Sequence, residues 1–482
     1  MAANVSVRVR MYRMHELGDC HLITFKSGQK TSRLLIDCGT FQNSNASKAR
    51  LTEVVSSVKA ELKGKPLDVL VGTHQHNDHL CGFVHNEADF RAMKVNQVWL
   101  SWLDNPRDAL AQTVGEKYHN LKSKIAKAAM LMKARGAAGG PTGALAKTEE
   151  LLGFFGATKD IGTPAELPAR ATEVLRGIGK NAIAYLKPGT SLDMPGMPAG
   201  AVRVHVLGPP HDQPSLERDD PRQGESYDTE LTRVLSFSAR FLDALESHGG
   251  SASQNEREYP FSETNKRAEK PSRAAIAAGT DRVAPSANLM ALIARYRAAD
   301  AAWRLVDDDW LDQAAGSALW LDGYTNNSSL VLAIELVASG KVLLFAADAQ
   351  TGNWNSWKDV PWTDTSVATD DLLARTVLYK VGHHGSHNST LKPVFEKMTH
   401  PHLSALIPVD KTDSHITKTN GWKMPAKNLF QRIREKTANR VLQMDGVNPP
   451  ECDLATKAAR DAWAATGMKP VEQPLFIEVA VQ

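Results

Sequence analysis

Cysteine is scarce in this chain, and so are long apolar runs and any strong bias of charge. The 482 residues include four cysteines, Cys20, Cys38, Cys81 and Cys452. They are scattered, with no C-x-x-C pair, which argues against a disulfide framework and for a reducing compartment. The longest apolar stretch, Val342 to Ala347, is far too short to cross a membrane. Met1 to Arg10 has no apolar core of signal-peptide length. The formal net charge is only +3, which excludes a gross basic field for nucleic acid but leaves room for a local basic groove. These absences lead to the expectation of a soluble, cytoplasmic protein. The 42% apolar share is enough for a substantial core, in one large elaborated domain or two to three ordinary ones.

Histidine, in contrast, is concentrated. The stretch Thr73-His74-Gln75-His76-Asn77-Asp78-His79 reads H-x-H-x-D-H and directly follows the apolar run Val69-Leu70-Val71-Gly72. Imidazole and carboxylate are the ligands that zinc, iron or manganese take in catalytic sites. With 16 histidines in the chain, a single one carries little weight. Three in six residues with an aspartate, at the end of a buried-type strand, do carry weight. A strand and tight loop can point His74 and His76 to one side and Asp78 and His79 to another, which suits two adjacent metal ions. Such a pair clamps a substrate oxygen and deprotonates a bridging water.

The rest of the chain alternates between two characters. Residues 1–105 read as β-rich, with strands at Val5–Met11, Cys20–Phe25, Arg33–Ile36, Leu67–Val71 and Gln97–Ser101. Helices are expected at Ala46–Leu62, stopped by Lys63-Gly64, and near Glu87–Met93. Residues 106–318 read as a mainly helical insertion with helices at Asp108–Arg135, Pro164–Gly177 and Tyr227–Ser247. One strand is expected within it, near 202–207, and Gly249–Arg273 is a polar loop. The β-rich signal returns at Ser317. Residues 319–482 are expected to hold strands at Ser329–Leu336, Lys341–Ala346, Thr376–Val381, Leu403–Val409 and Arg440–Met444, a helix at Lys427–Lys436, and a last edge strand at Leu475–Val481. Strand–helix alternation implies an α/β layered fold.

Three of these strands end in metal-type ligands: at His74–His79, at Asp348, and at His383-His384. Active sites of layered α/β folds collect at strand ends, so distant ligands can meet there. This arrangement, with Ile36-Asp37-Cys38-Gly39 upstream, resembles the metallo-β-lactamase fold superfamily. The closer likeness is to the soluble hydrolase domain of ComEC-type DNA-uptake proteins and to bacterial phosphorylcholine esterases. It rests on Gly18-Asp19, on Asn327-Ser328-Ser329-Leu330-Val331-Leu332, and on Leu343-Leu344-Phe345-Ala346-Ala347-Asp348, where Ala347 stands in place of the usual glycine. It rests also on Leu378-Tyr379-Lys380-Val381-Gly382-His383-His384-Gly385-Ser386. The likeness covers roughly residues 5–105, 200–210 and 317–445 and leaves the insertion unexplained.

The resemblance implies an αββα sandwich carrying two divalent metal ions, zinc or manganese. His74 and His76 would hold one ion, and Asp78 and His79 the second. Asp348 would bridge them, and one histidine of His383-His384, preferably His383, would complete the second site. His384 would then contact the substrate oxyanion or protonate the leaving group. Asp37 would act through hydrogen bonds to the histidine loop, with Asn327 and Ser386 near the site or the substrate. The further metal-binding histidine of many superfamily members has no obvious counterpart, since His205 and His211 read as structural or surface residues.

The implied function is a binuclear phosphodiesterase or nuclease using a metal-bound hydroxide, with Asp78, Asp348 and His384 as catalytic groups. A phosphodiester is the expected substrate, single-stranded DNA in particular. Two alternatives stand beside it: lactone, thioester or amide hydrolysis on the same fold, and an effector component whose insertion binds a protein partner. The lysine-rich stretch Lys117–Arg135 reads sooner as a solvated helix face than as a nucleic-acid track. Trp354, Trp357 and Trp362 could either stack on a base or choline-like group or pack a loop.

Overall fold

The computed structural model describes residues 3–139, 143–156, 167–180, 182–218, 221–222, 224–227, 313–417, 421–446 and 448–481, with a few isolated positions between 288 and 295. The expected helix 227–247, beyond its first residue, and the expected polar loop 249–273 lie outside the described residues.

The described strands form two mixed sheets. The first runs β14 (Lys469–Glu472), β15 (Phe476–Val481), β1 (Ser6–Tyr12), β2 (His21–Ser27), β3 (Lys30–Ile36), β4 (Leu67–Val71), β5 (Val95–Ser101), β6 (Ile183–Leu186). The second runs β13 (Val441–Gln443), β12 (Ser404–Ile407), β11 (Thr376–Lys380), β10 (Lys341–Phe345), β9 (Val331–Leu336), β8 (Val202–Gly208), β7 (Ser191–Asp193). Period-two alternation explains why both faces of the second sheet are covered. Leu332, Ile334, Leu336, Leu343 and Phe345 face the first sheet and join its Leu22, Ile23, Leu34, Leu70 and Val98 in one core. Their neighbours Val331, Ala333, Val342 and Leu344 face outwards, under Trp354, Leu372, Phe395, Leu429 and Ile433. The helix Asn45–Leu62 covers the first sheet with Leu51, Val54, Val55 and Val58. Ser44 caps its start, accepting from the Ser47 amide, and Lys63 and Gly64 end it with φ of 51° and 73°. The result is a helix–sheet–sheet–helix sandwich.

Three expectations need correction. The β signal does not return at Ser317: Gln313–Asn327 is a helix, and the strand starts at Val331. Ala314, Ala318 and Leu321, spaced i, i+4, i+7, pack against Val114, Tyr118 and Leu121 of the helix Ala109–Gly139 in a third core. Among its described residues, segment 106–318 contributes three strands instead of one, since β6 extends the first sheet and β7 the second. Finally, the last strand is not an edge. β15 pairs with β1 on one side and β14 on the other, and β14 is the edge. Among the described residues no helix is long and apolar enough to cross a membrane.

Candidate metal centre

Two parallel strand pairs build the site. β3 and β4 lie side by side and lead into Asp37 and Thr73. β10 and β11 lie side by side in the facing sheet and lead into Asp348 and into the loop carrying His383 and His384. A helix, Asn77–His85, begins inside the histidine motif with His76 at its N-cap, and the His79 ring packs 4.2 Å from that of His74. The backbone is interlocked here. The Asp19 amide donates to the Asp78 carbonyl, the Cys38 amide to that of His79, and the Gly39 amide to that of Asp19. A Cβ on Gly39 would lie 2.5 Å from the Asp78 carbonyl carbon and the His79 nitrogen, and one on Gly18 2.2 Å from the Gly39 oxygen. These contacts are the physical reason for the G-D and D-x-G pairs noted in the sequence.

Four side chains, Asp78, His79, Asp348 and His384, bring one ligand atom each to within 4.8 Å of one another, and all are buried. His79 Nε2 is 3.1 Å from Asp348 Oδ2. His384 Nε2 is 3.2 Å from Asp78 Oδ2 and 3.5 Å from Asp348 Oδ2. Beside this group His74 Nε2 meets His76 Nδ1 at 3.2 Å. The far nitrogens of these rings face acceptors. His79 Nδ1 bonds Asp37 Oδ2 at 2.7 Å, His384 Nδ1 the Pro408 carbonyl at 2.6 Å, and His74 Nδ1 the Thr73 hydroxyl at 3.1 Å. His76 Nε2 faces Asp322 Oδ1 at 3.6 Å. A proton placed on each outer nitrogen leaves the inner nitrogen bare, the arrangement that metal-bound imidazoles adopt. Asp37 also accepts from the Thr73 amide and hydroxyl, so it braces the loop.

The donor set fits a divalent cation. Asp78 Oδ1 and His79 Nε2 are buried without a hydrogen-bond partner. Orphaned polar atoms of this kind cost roughly 1–3 kcal/mol each unless something binds them. Imidazole nitrogens with carboxylate oxygens suit zinc, manganese or iron. Burial alone would lower the His79 and His384 pKa values, but Asp348 and Asp78 outweigh it and hold both raised. His74 and His76 have no such surplus of carboxylates. Burial pushes His74 well below its ordinary value and His76 down to about 4.

The two adjacent histidines exchange the places preferred from sequence. His384 lies with Asp78 and Asp348. His383 Nδ1 instead meets the Gln350 side-chain nitrogen at 2.9 Å, and burial lowers its pKa to about 3. The cause is local backbone: both histidines have positive φ, 40° and 52°, so their side chains diverge. Asp37 at 57° and Ala347 at 45° share this left-handed conformation. For Ala347 it accounts for the glycine expected at that position.

Other expectations are not met at the centre. Asn327 is a brace, donating to the carbonyls of Leu216 and Arg218 and accepting from the Asn353 amide. The Ser386 hydroxyl bonds Asn388. Trp354 and Trp357 are buried, stacked on each other at 4.0 Å, with both indole N–H groups bonded, so neither offers a free face. His205 is held between Ser191 and Glu335, and His211 lies beside Asp108, away from the centre.

Three buried residues were not foreseen. Lys380 reaches Asp19 Oδ2 at 2.5 Å and Asp348 Oδ1 at 3.2 Å. Asp322 comes from the helix Gln313–Asn327, most of which lies where a β-rich stretch is expected, and Gln350 sits two residues past Asp348. Only Lys380 left a signal, as the lone charge in the otherwise uncharged strand Thr376–Lys380.

A two-sheet sandwich with a buried His/Asp cluster at facing strand ends is suited to metal binding and to metal-dependent hydrolysis. Residues 16–86 match the model of the metallo-beta-lactamase superfamily, a stretch that includes Asp19, Asp37 and the whole H-x-H-x-D-H motif. No curated protein matches the chain.

Proposed function

We propose that this chain is a binuclear metal-dependent phosphodiesterase, with nucleic acid as the favoured substrate. The observation that carries the reading is the orientation of His74, His76, His79 and His384. His79 and His384 turn Nε2 towards Asp78 and Asp348, His74 Nε2 and His76 Nδ1 meet beside them, and the outer nitrogens of His74, His79 and His384 each face an acceptor. His74 and His76 would hold one ion, Asp78, His79 and His384 the other, and Asp348 both. Bound there, two divalent cations would supply Lewis acidity and lower the pKa of a water.

Ions held by imidazole and carboxylate, with Asp348 between them, suit phosphate oxygens and favour a phosphodiester over a neutral lactone. Lys380 neutralises Asp19. Asp37, Asp78, Asp348 and the buried Asp322 then match the charge of two divalent cations, so the loaded centre would be close to neutral before substrate binds. Asp37 holds the ring of His79 in place, and Asp322 lies 3.6 Å from that of His76.

Protein supplied with manganese or zinc is expected to cleave bis-p-nitrophenyl phosphate and single-stranded DNA. His76→Ala and Asp348→Ala are expected to abolish this. Full activity in both variants refutes the reading, and turnover confined to lactones or thioesters in a substrate panel replaces it.

A further inference from the structure

Gln350 is an unusual residue for its place. It occupies the N-cap of the helix Thr351–Ser356, where a side chain usually accepts from the first turn, yet it makes no capping bond. It is 1% exposed and turned instead towards His383. Its side-chain nitrogen lies 2.9 Å from His383 Nδ1. An amide NH₂ can only donate, so Nδ1 accepts, and a neutral ring must carry its proton on Nε2. The ring is held from its backbone too, because the His383 amide donates to the Ala347 carbonyl. His383 is also the most open imidazole of the site, 6% exposed against 0–2% for His74, His76, His79 and His384. Among the described residues no hydrogen bond reaches its Nε2.

We propose that Gln350 is a positioning residue that fixes His383 as the Nε2–H tautomer. His383 is thereby a hydrogen-bond donor to the leaving-group oxygen of the substrate and is withheld from metal ligation. The catalytic half of this inference rests on the phosphodiesterase reading; the tautomer does not. No proton need be transferred. The donor stabilises the charge that develops on the departing oxygen as the P–O bond breaks.

The test compares two thymidine 5′-phosphodiesters that differ only in leaving group, phenyl and p-nitrophenyl. Gln350→Glu replaces the donor with an acceptor and draws the ring proton to Nδ1. With the phenyl ester kcat is expected to fall by ~10–100-fold, with little change in KM. With p-nitrophenyl, whose anion needs less help, the fall should be several-fold smaller. Gln350→Ala carries the same comparison if the glutamate variant does not fold. Equal losses on the two esters overturn the donor role while leaving the phosphodiesterase reading intact. A wild-type protein that cleaves neither ester overturns that reading, and the donor role with it.

Nitrogen-15 spectra of histidine-labelled protein, with the His383 signals assigned by their loss in His383→Gln, read the tautomer without any activity. A protonated Nε2 and bare Nδ1 in the wild type, reversed in Gln350→Glu, support the inference. A protonated Nδ1, or a His383 nitrogen shifted by added zinc as a ligand would be, overturns it.

Discussion

Replacing Lys380 with methionine tests the electrostatic design of the centre most directly. The ammonium is about 1% exposed and lies 2.5 Å from Asp19 Oδ2, 3.2 Å from Asp348 Oδ1 and 2.8 Å from the Ala347 carbonyl. Burial would lower its pKa, but Asp19 and Asp348 outweigh burial and hold it above the ordinary lysine value, so the charge is kept. Methionine fills a similar volume, so the loss is of charge more than of packing. Removing one partner of a buried ion pair typically costs ~3–5 kcal/mol, because the remaining charge is stranded. Here two carboxylates are stranded, although nearby His79 and His384 offset part of the cost at Asp348. We therefore expect a loss of about 3–5 kcal/mol in metal-free protein, read as a shift in the urea midpoint. Asp19→Asn added to Lys380→Met should recover part of it, since it removes one stranded charge. A loss below about 1 kcal/mol, or effects of the two substitutions that simply add, would refute the argument.

Gly39→Ala should be destabilising by ~1–3 kcal/mol, the usual cost of overpacking, because its Cβ would press on the backbone of Asp78 and His79. Metal stoichiometry should fall with it, and an unchanged melting temperature counts against the interlock. The raised pKa values of His79 and His384 give a signed pH dependence. In metal-free protein their stabilisation is full below the ordinary histidine value of 6.5 and is lost as pH rises through the raised values. A metal ion replaces those protons, so chelation should lower the melting temperature more at about pH 9 than at about pH 6. Equal shifts at both values would show that metal and proton do not share the site.

Much of the fold was legible because its strands carry strong patterns. Leu67–Val71 and Lys427–Lys436 lie where the pattern puts them. The helix Gln313–Asn327 did not, because its alanines and small residues carry little amphipathic signal until Val114 and Tyr118 are placed against them. The local chemistry was legible too. Three histidines and an aspartate after a buried strand, with Asp348 and His383-His384 later, imply a metal whatever the surrounding topology. What the chain order could not supply was direction. Which of His383 and His384 faces Asp78 depends on two left-handed backbone residues. The outward partners of the rings, Asp37, Pro408 and Asp322, come from three separate segments. Lys380 is nothing more than a charge in a strand until the facing sheet sets Asp19 beside it. Ligand type is a property of side chains and is written in the sequence. Ligand orientation and charge balance are sums over neighbours distant in the chain, and only the packed sheets bring those neighbours together.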